Sequence, residues 1–107
     1  MKTTLLILAS TALAVSLPVH ADGNYEAGKA KSTTCAACHG FDGNSTVTSF
    51  PRLAGQHRDY LLQALHEYKT GKRTNPIMGA QVQALSETDM EDLTTYFSEQ
   101  KGLTLKY

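Results

Sequence analysis

The sequence predicts an all-α domain: about four short helices and their connecting loops, wrapped around a compact motif near the amino end. Three observations predict it. Capping residues recur at helix spacing, with Asn24 and Ser86 placed to open helices and Gly71 and Gly102 placed to close them. Apolar residues repeat at helical intervals in two long segments, whereas the alternation expected of strands is almost absent. The stretch Cys35-Ala36-Ala37-Cys38-His39 gathers two thiols and an imidazole within five residues, and the rest of the chain reads as a wrapping for it.

The elements follow in order. Lys2, the uncharged apolar run Leu5 to Leu17, Pro18 and the small-residue exit Val19-His20-Ala21 read as a secretory signal peptide over residues 1–21. The apolar run is short of the roughly 20 residues a spanning helix needs, so no membrane span is expected in the mature form. The mature domain is then 22–107, a single unit without internal repeats. Tyr25 to Thr33 reads as a first helix capped by Asn24. Gly28 inside it costs about 1 kcal/mol against Ala, which is tolerable where another helix must approach closely. The Cys-x-x-Cys turn follows, closed by Gly40. From Phe41 to Gln56 the periodicity disappears, and Asp42-Gly43-Asn44-Ser45 is turn chemistry. A long irregular loop in so small a domain is more often packed on a ligand than idle. Tyr60, Leu61, Ala64, Leu65 and Tyr68 then form one stripe on a helix from His57 to Lys69, with Gly71 as its terminator. Asn75-Pro76-Ile77-Met78-Gly79 reads as a loop bracketed by Pro and Gly. Ser86 opens the last helix, with Asp89 three residues on as a capping box, Met90, Leu93, Tyr96 and Phe97 as its buried stripe, and Lys101 and Gly102 at its end.

Cys-x-x-Cys-His reads first as a c-type haem attachment site. Two thiols one helical turn apart can each form a thioether with one vinyl group on a porphyrin edge, and the adjacent His39 is placed to offer a ring nitrogen to the iron. Other readings of Cys35 and Cys38 stay open at this point. A zinc site would have to draw on His39, His57 or His66, whose spacing is unusual for one. A thioredoxin-like pair lacks its βαβ context. A disulfide across so short a loop would stabilise little.

An iron held by His39 has one further axial position. A thioether there gives a low-spin centre of raised potential, and an empty position gives a ligand-binding one. Met90 falls on the apolar stripe of the last helix and reads as core. Met78 stands in the Pro- and Gly-bracketed stretch, where a buried side chain needs another reason, although packing on the core is one. His57 and His66 are the alternative ligands, and otherwise surface residues.

Composition bounds the function. Past Lys2, nine Lys and Arg face ten Asp and Glu. That balance carries neither a nucleic-acid footprint nor a polybasic membrane surface. Steering toward a partner should be weak and only modestly sensitive to salt. The mature chain has no Trp and a thin apolar core. A buried porphyrin face of a few hundred Å² would contribute on the order of 10 kcal/mol before ordering costs.

Taken together, Cys35-Ala36-Ala37-Cys38-His39-Gly40, Gly43-Asn44-Ser45, Pro51-Arg52-Leu53-Ala54-Gly55-Gln56, Tyr60-Leu61, Gly71-Lys72-Arg73, Pro76-Ile77-Met78, and Leu85-Ser86 leading to Leu93 and Tyr96 make the chain resemble the class I c-type cytochromes. Within them it is similar to one half of the dihaem bacterial cytochrome c4. The resemblance covers nearly all of the mature chain. It implies the class I cytochrome c fold around one covalent haem c, with Cys35 and Cys38 as thioether attachments and His39 and Met78 as axial ligands. Pro51 would match a family proline whose carbonyl accepts the hydrogen bond of the proximal His, and Gly28 a small residue where the first and last helices cross against Tyr96 or Phe97. One haem motif stands here where cytochrome c4 has two.

The function this implies is that of a periplasmic one-electron carrier between redox partner proteins of a respiratory chain, not an enzyme, and a monomer or weak dimer. The alternatives are a haem subunit docked on a dehydrogenase or reductase and, if Met78 does not bind iron, a ligand-binding or peroxidatic haem protein. Arg52, Arg73 and Tyr60 are candidates to meet the haem propionates.

Overall fold

The computed structural model describes residues 22–102. The expected signal peptide, 1–21, and the last five residues lie outside the described residues. Five helices make up the described chain: α1 Tyr25–Lys31, α2 Thr33–His39, α3 Arg58–Thr70, α4 Pro76–Val82 and α5 Glu87–Ser98. There is no strand among the described residues, as the all-α expectation has it.

α1 begins where the sequence placed it. The Asn24 side chain accepts from the Ala27 N–H at 2.8 Å. It ends two residues early, at Lys31. Ser32, with φ −71° and ψ −11°, then caps both α1 and α2. The Cys-x-x-Cys segment is therefore a helix, not a turn. Ser32 O accepts from Ala36 N and Ala36 O accepts from Gly40 N, so the thiols of Cys35 and Cys38 stand one helical turn apart.

α5 is the central element. It packs on α1 and on α3, and seven of its residues are buried. Leu93, Tyr96 and Phe97 join Leu61 of α3 as the core, with Tyr25, Cys35, Leu53 and Leu85 packed against them. Met90 is 2% exposed and belongs to this buried face. Ser86 and Asp89 make the expected capping box reciprocally, at 3.1 and 2.9 Å. α5 stops at Ser98, capped by Glu99, rather than running to Lys101 and Gly102.

α1 crosses α5 at Gly28. A Cβ built there would lie 2.0 Å from the Asp92 carbonyl oxygen and 2.9 Å from the Tyr96 Cβ. The small residue is needed, and Tyr96 is its neighbour. The same crossing is tied by charge. Asp92, buried, accepts from the Asn24 N–H and from Lys31 Nζ, both at 2.6 Å, and Lys31 also reaches Asp89 at 2.8 Å.

α4 corrects the expectation of a loop at 75–79. Pro76 does not merely stop a helix; it occupies the first turn of one, where its missing N–H is no loss and its fixed φ is already helical. Met78 is thus a helical residue. α4 packs on α3. Among the described residues, no helix is long and apolar enough to cross a membrane.

Candidate functional site

The site is built on α2. His39, its last residue, is 6% exposed. Its Nδ1 donates to the Pro51 carbonyl oxygen at 2.7 Å. A carbonyl only accepts, so Nδ1 carries the proton and Nε2 keeps its lone pair. Nε2 makes no hydrogen bond among the described residues, yet no buried side-chain nitrogen there lacks a partner. It therefore opens on accessible space. A buried imidazole with one nitrogen tied and the other presenting a lone pair is prepared to bind a metal.

The irregular segment 41–56 delivers Pro51. It is tied down at several points. Gly43 O accepts from Leu53 N and Ala54 N, Phe97 O accepts from Gly55 N, and the Tyr96 hydroxyl donates to Phe41 O at 2.8 Å. Asn44 Nδ2 donates to Lys101 O. These bonds anchor the loop to the buried end of α5, so Pro51 is held against His39 by the core.

Cys35 and Cys38 are free thiols, each half-buried. Burial pushes the Cys35 thiol up from its ordinary range. That is the reverse of what a reactive redox pair requires. Among the described residues no three His, Cys, Asp or Glu side chains converge as a metal cluster. His66 is engaged elsewhere, its Nε2 lying 2.9 Å from both Glu87 carboxylate oxygens. His57 is exposed at the start of α3.

The donor set fits a covalently held haem. The two thiols, the imidazole and the carbonyl that orients it come together on one side. Met78, half-buried, stands on a different element: α2 lies along α1, with Cys35 reaching the core of α3 and α5, whereas α4 packs on α3. Apolar side chains stay uncovered on the elements around that separation: Phe41 is 83% exposed, Ile77 56%, Tyr60 50% and Val47 49%. Only Leu61 of α3 and Val82 of α4 are buried. A flat apolar group between these elements would cover what the polypeptide leaves open.

The propionate candidates have other partners. Arg52 Nε donates to Ser45 O at 3.2 Å. Arg73 lies 5.2 Å over the Tyr68 ring and donates to the Tyr60 hydroxyl at 3.4 Å. Two contacts escaped the sequence reading. One is Asp92, whose partners are more than 60 positions away. The other is Asn75, whose side chain accepts from the N–H groups of Ile77 and Met78 at 3.0 and 3.1 Å. Its signal was present, an N-cap residue directly before a Pro at the first helical position.

Comparison with known proteins places this geometry. The family model described as cytochrome c matches residues 25–101. Cytochrome c4 of Pseudomonas aeruginosa is 47% identical over 97 residues, covering 91% of this chain and 46% of that protein. Cytochrome c-554(548) of Halomonas halodenitrificans is 37% identical over 82 residues, covering 74% of this chain and 99% of that one. The crystal structure of reduced recombinant cytochrome c4 from Pseudomonas stutzeri superposes with a TM-score of 0.72 at 43% identity, over 76% of this chain and 47% of its own. The chain spans about half the length of these cytochrome c4 relatives.

Proposed function

The chain belongs to the cytochrome c family, and we propose that it is a monohaem one-electron carrier, exported to the periplasm by a signal peptide over 1–21 and working there as the domain 22–107. Covalent haem c is the cofactor of the family, and Cys35 and Cys38 stand in the spacing it requires. When bound, the haem supplies an iron that takes up and returns one electron. Cys35 and Cys38 would hold it through thioethers, and His39 and Met78 would bind its iron.

The observation that carries this reading is the His39–Pro51 hydrogen bond. It fixes the tautomer and the ring plane, and it makes Nε2 a better donor. The remaining residues do what a carrier needs. Cys35 packs on the core of α3 and α5, so its attachment point moves little when the charge of the centre changes. α1, α5 and the tethered loop make a rigid frame behind His39. The Met78 thioether, a soft ligand, favours the reduced metal and raises the potential. Redox partner proteins are expected to approach near the attachment helix α2, where Cys35 and Cys38 would hold the haem.

Expression in a host competent in cytochrome maturation tests the reading. The mature chain should gain the mass of one haem, titrate as a one-electron couple and show the far-red band of a Met-ligated ferric haem. Cys35→Ala with Cys38→Ala should abolish the mass gain, and Met78→Ala the band. A bare chain from such a host would overturn the proposal. Rapid carbon monoxide binding to the reduced wild type, with no far-red band, would make it a ligand-binding haem protein instead. Recovery only in a stable complex with a dehydrogenase or reductase would make it a docked subunit.

A further inference from the structure

We propose that Asn75 is a positioning residue for the distal thioether, acting by capping the helix that carries Met78; the inference rests on Met78 as the ligand proposed above. α4 is seven residues long, too short to hold its shape without help at its ends. The N–H groups of its first turn are answered by one residue. Pro76 has none to offer. The Asn75 side-chain oxygen accepts from Ile77 N and Met78 N, and the Asn75 backbone carbonyl accepts from Gly79 N at 2.8 Å. Asn75 therefore fixes the backbone on both sides of Met78 and at Met78 itself.

The local sequence prepares this. A residue before Pro is pushed into extended backbone, and an N-cap residue must be extended. Asn75 meets both demands at φ −151° and ψ 120°. The rest of α4 is held from its far end. Gln83 Nε2 donates to Gly79 O at 3.2 Å, and Lys69 Nζ of α3 donates to Leu85 O. Neither bond reaches the first turn. A thioether is a weak ligand, so how often it stays on the iron depends on how well its backbone is placed in advance. Removing the cap leaves two N–H groups of the ligand-bearing turn without an acceptor. Loss of a cap of ordinary strength is about a fivefold change in such an equilibrium.

Competition with exogenous imidazole reads that equilibrium. In the oxidised holoprotein, added imidazole displaces the thioether and bleaches the far-red band, so its apparent Kd reports how firmly Met78 holds. Asn75→Ala should lower that Kd about fivefold. Asn75→Asp keeps the acceptor and should stay within about twofold of wild type. Asn24→Ala removes the equivalent cap of α1, far from Met78, and should lower the melting temperature without moving the imidazole Kd. An unchanged Kd in Asn75→Ala, with the band present and lost in Met78→Ala, overturns the positioning role and leaves the ligand in place. So does an Asn75→Asp effect as large as that of alanine. A wild-type band that survives Met78→Ala overturns the ligand assignment itself, and the inference with it.

Discussion

A methyl group at position 28 has nowhere to go. It would meet the Asp92 carbonyl oxygen at 2.0 Å and the Tyr96 Cβ at 2.9 Å, and neither atom is the free end of a flexible side chain. Gly28→Ala gains about 1 kcal/mol of helix propensity, but α1 must lift from α5, and overpacking of this kind costs about 1–3 kcal/mol. A net loss of about 1 kcal/mol is expected in denaturant unfolding of the holoprotein; a gain in stability would mean that the crossing is looser than described. The Lys31 ion pairs beside it make a pH-dependent contribution. Lys31 and the N–H of Ser86 hold the Asp89 carboxyl at about 2, below its ordinary value of 3.8, and Lys31 likewise lowers Asp92. Carboxyls depressed on folding stabilise the protein fully above their unfolded value of about 4 and lose that contribution as pH falls through the folded value. Lys31 itself is raised above 10.5, so its contribution is intact below that pH and fades only in strong alkali. Lys31→Met should therefore lower the melting temperature by a constant amount through the neutral range. The gap should close between about pH 4 and pH 2. A gap that persists undiminished at pH 2 would show that the pairing contributes nothing electrostatic.

Among the elements, α5 was the most legible and α4 the least. Ser86 and Asp89 announced a capping box, and the helix begins there. Ser86→Ala should cost about 1 kcal/mol in the same denaturant experiment, with the m-value and the visible spectrum unchanged; a spectral change would mean that the cap also serves the helix that carries Met78. The end of α5 was misread because Gly102 looked like a terminator. It lies instead against Asn44 and Ala54, where a Cβ would come within 2.2 and 2.6 Å of their side chains, a tertiary demand that no local pattern reveals. α2 looked like a turn because its Thr-Thr-Cys opening is poor helix-forming sequence. α1 runs into it almost without interruption. α4 reads as a loop because Pro76 and Gly79 are breakers inside a helix, although Pro at a first helical position is a start signal with Asn75 as the cap. Cys35, Cys38 and His39 stood out by their spacing, although spacing left zinc, redox-pair and disulfide readings open beside the haem one. The partnership of His39 with Pro51 did not stand out; only family likeness suggested it, because a backbone carbonyl twelve positions away leaves no trace in side-chain pattern.

The whole molecule is short of core. The large apolar side chains buried among the described residues are Leu61, Val82, Met90, Leu93, Tyr96 and Phe97. They lie mostly on α5, and they serve the joint of α1, α3 and α5. The opposite side has little of its own. α2 lies along α1 and reaches the joint through Cys35, α4 buries only Val82, and Phe41, Ile77, Tyr60 and Val47 remain largely in water. A domain of this size is marginal even with a complete core. Half of this one is arranged about a group the chain does not encode, so binding that group is part of folding, as it is for small metal-dependent domains. The chain with Cys35→Ala and Cys38→Ala, which cannot attach a haem, should therefore show weak far-UV helix signal and no cooperative melt, while the holoprotein melts cooperatively. Weak helicity confined to α5 and its α1 and α3 contacts would agree with this. Its amide protons in α2 and α4 should exchange faster than those of α5, since those two helices bury little of their own. A cooperative transition with native helix content in the unattached chain would show that the α1–α3–α5 joint suffices, and that the open side is formed before the haem arrives.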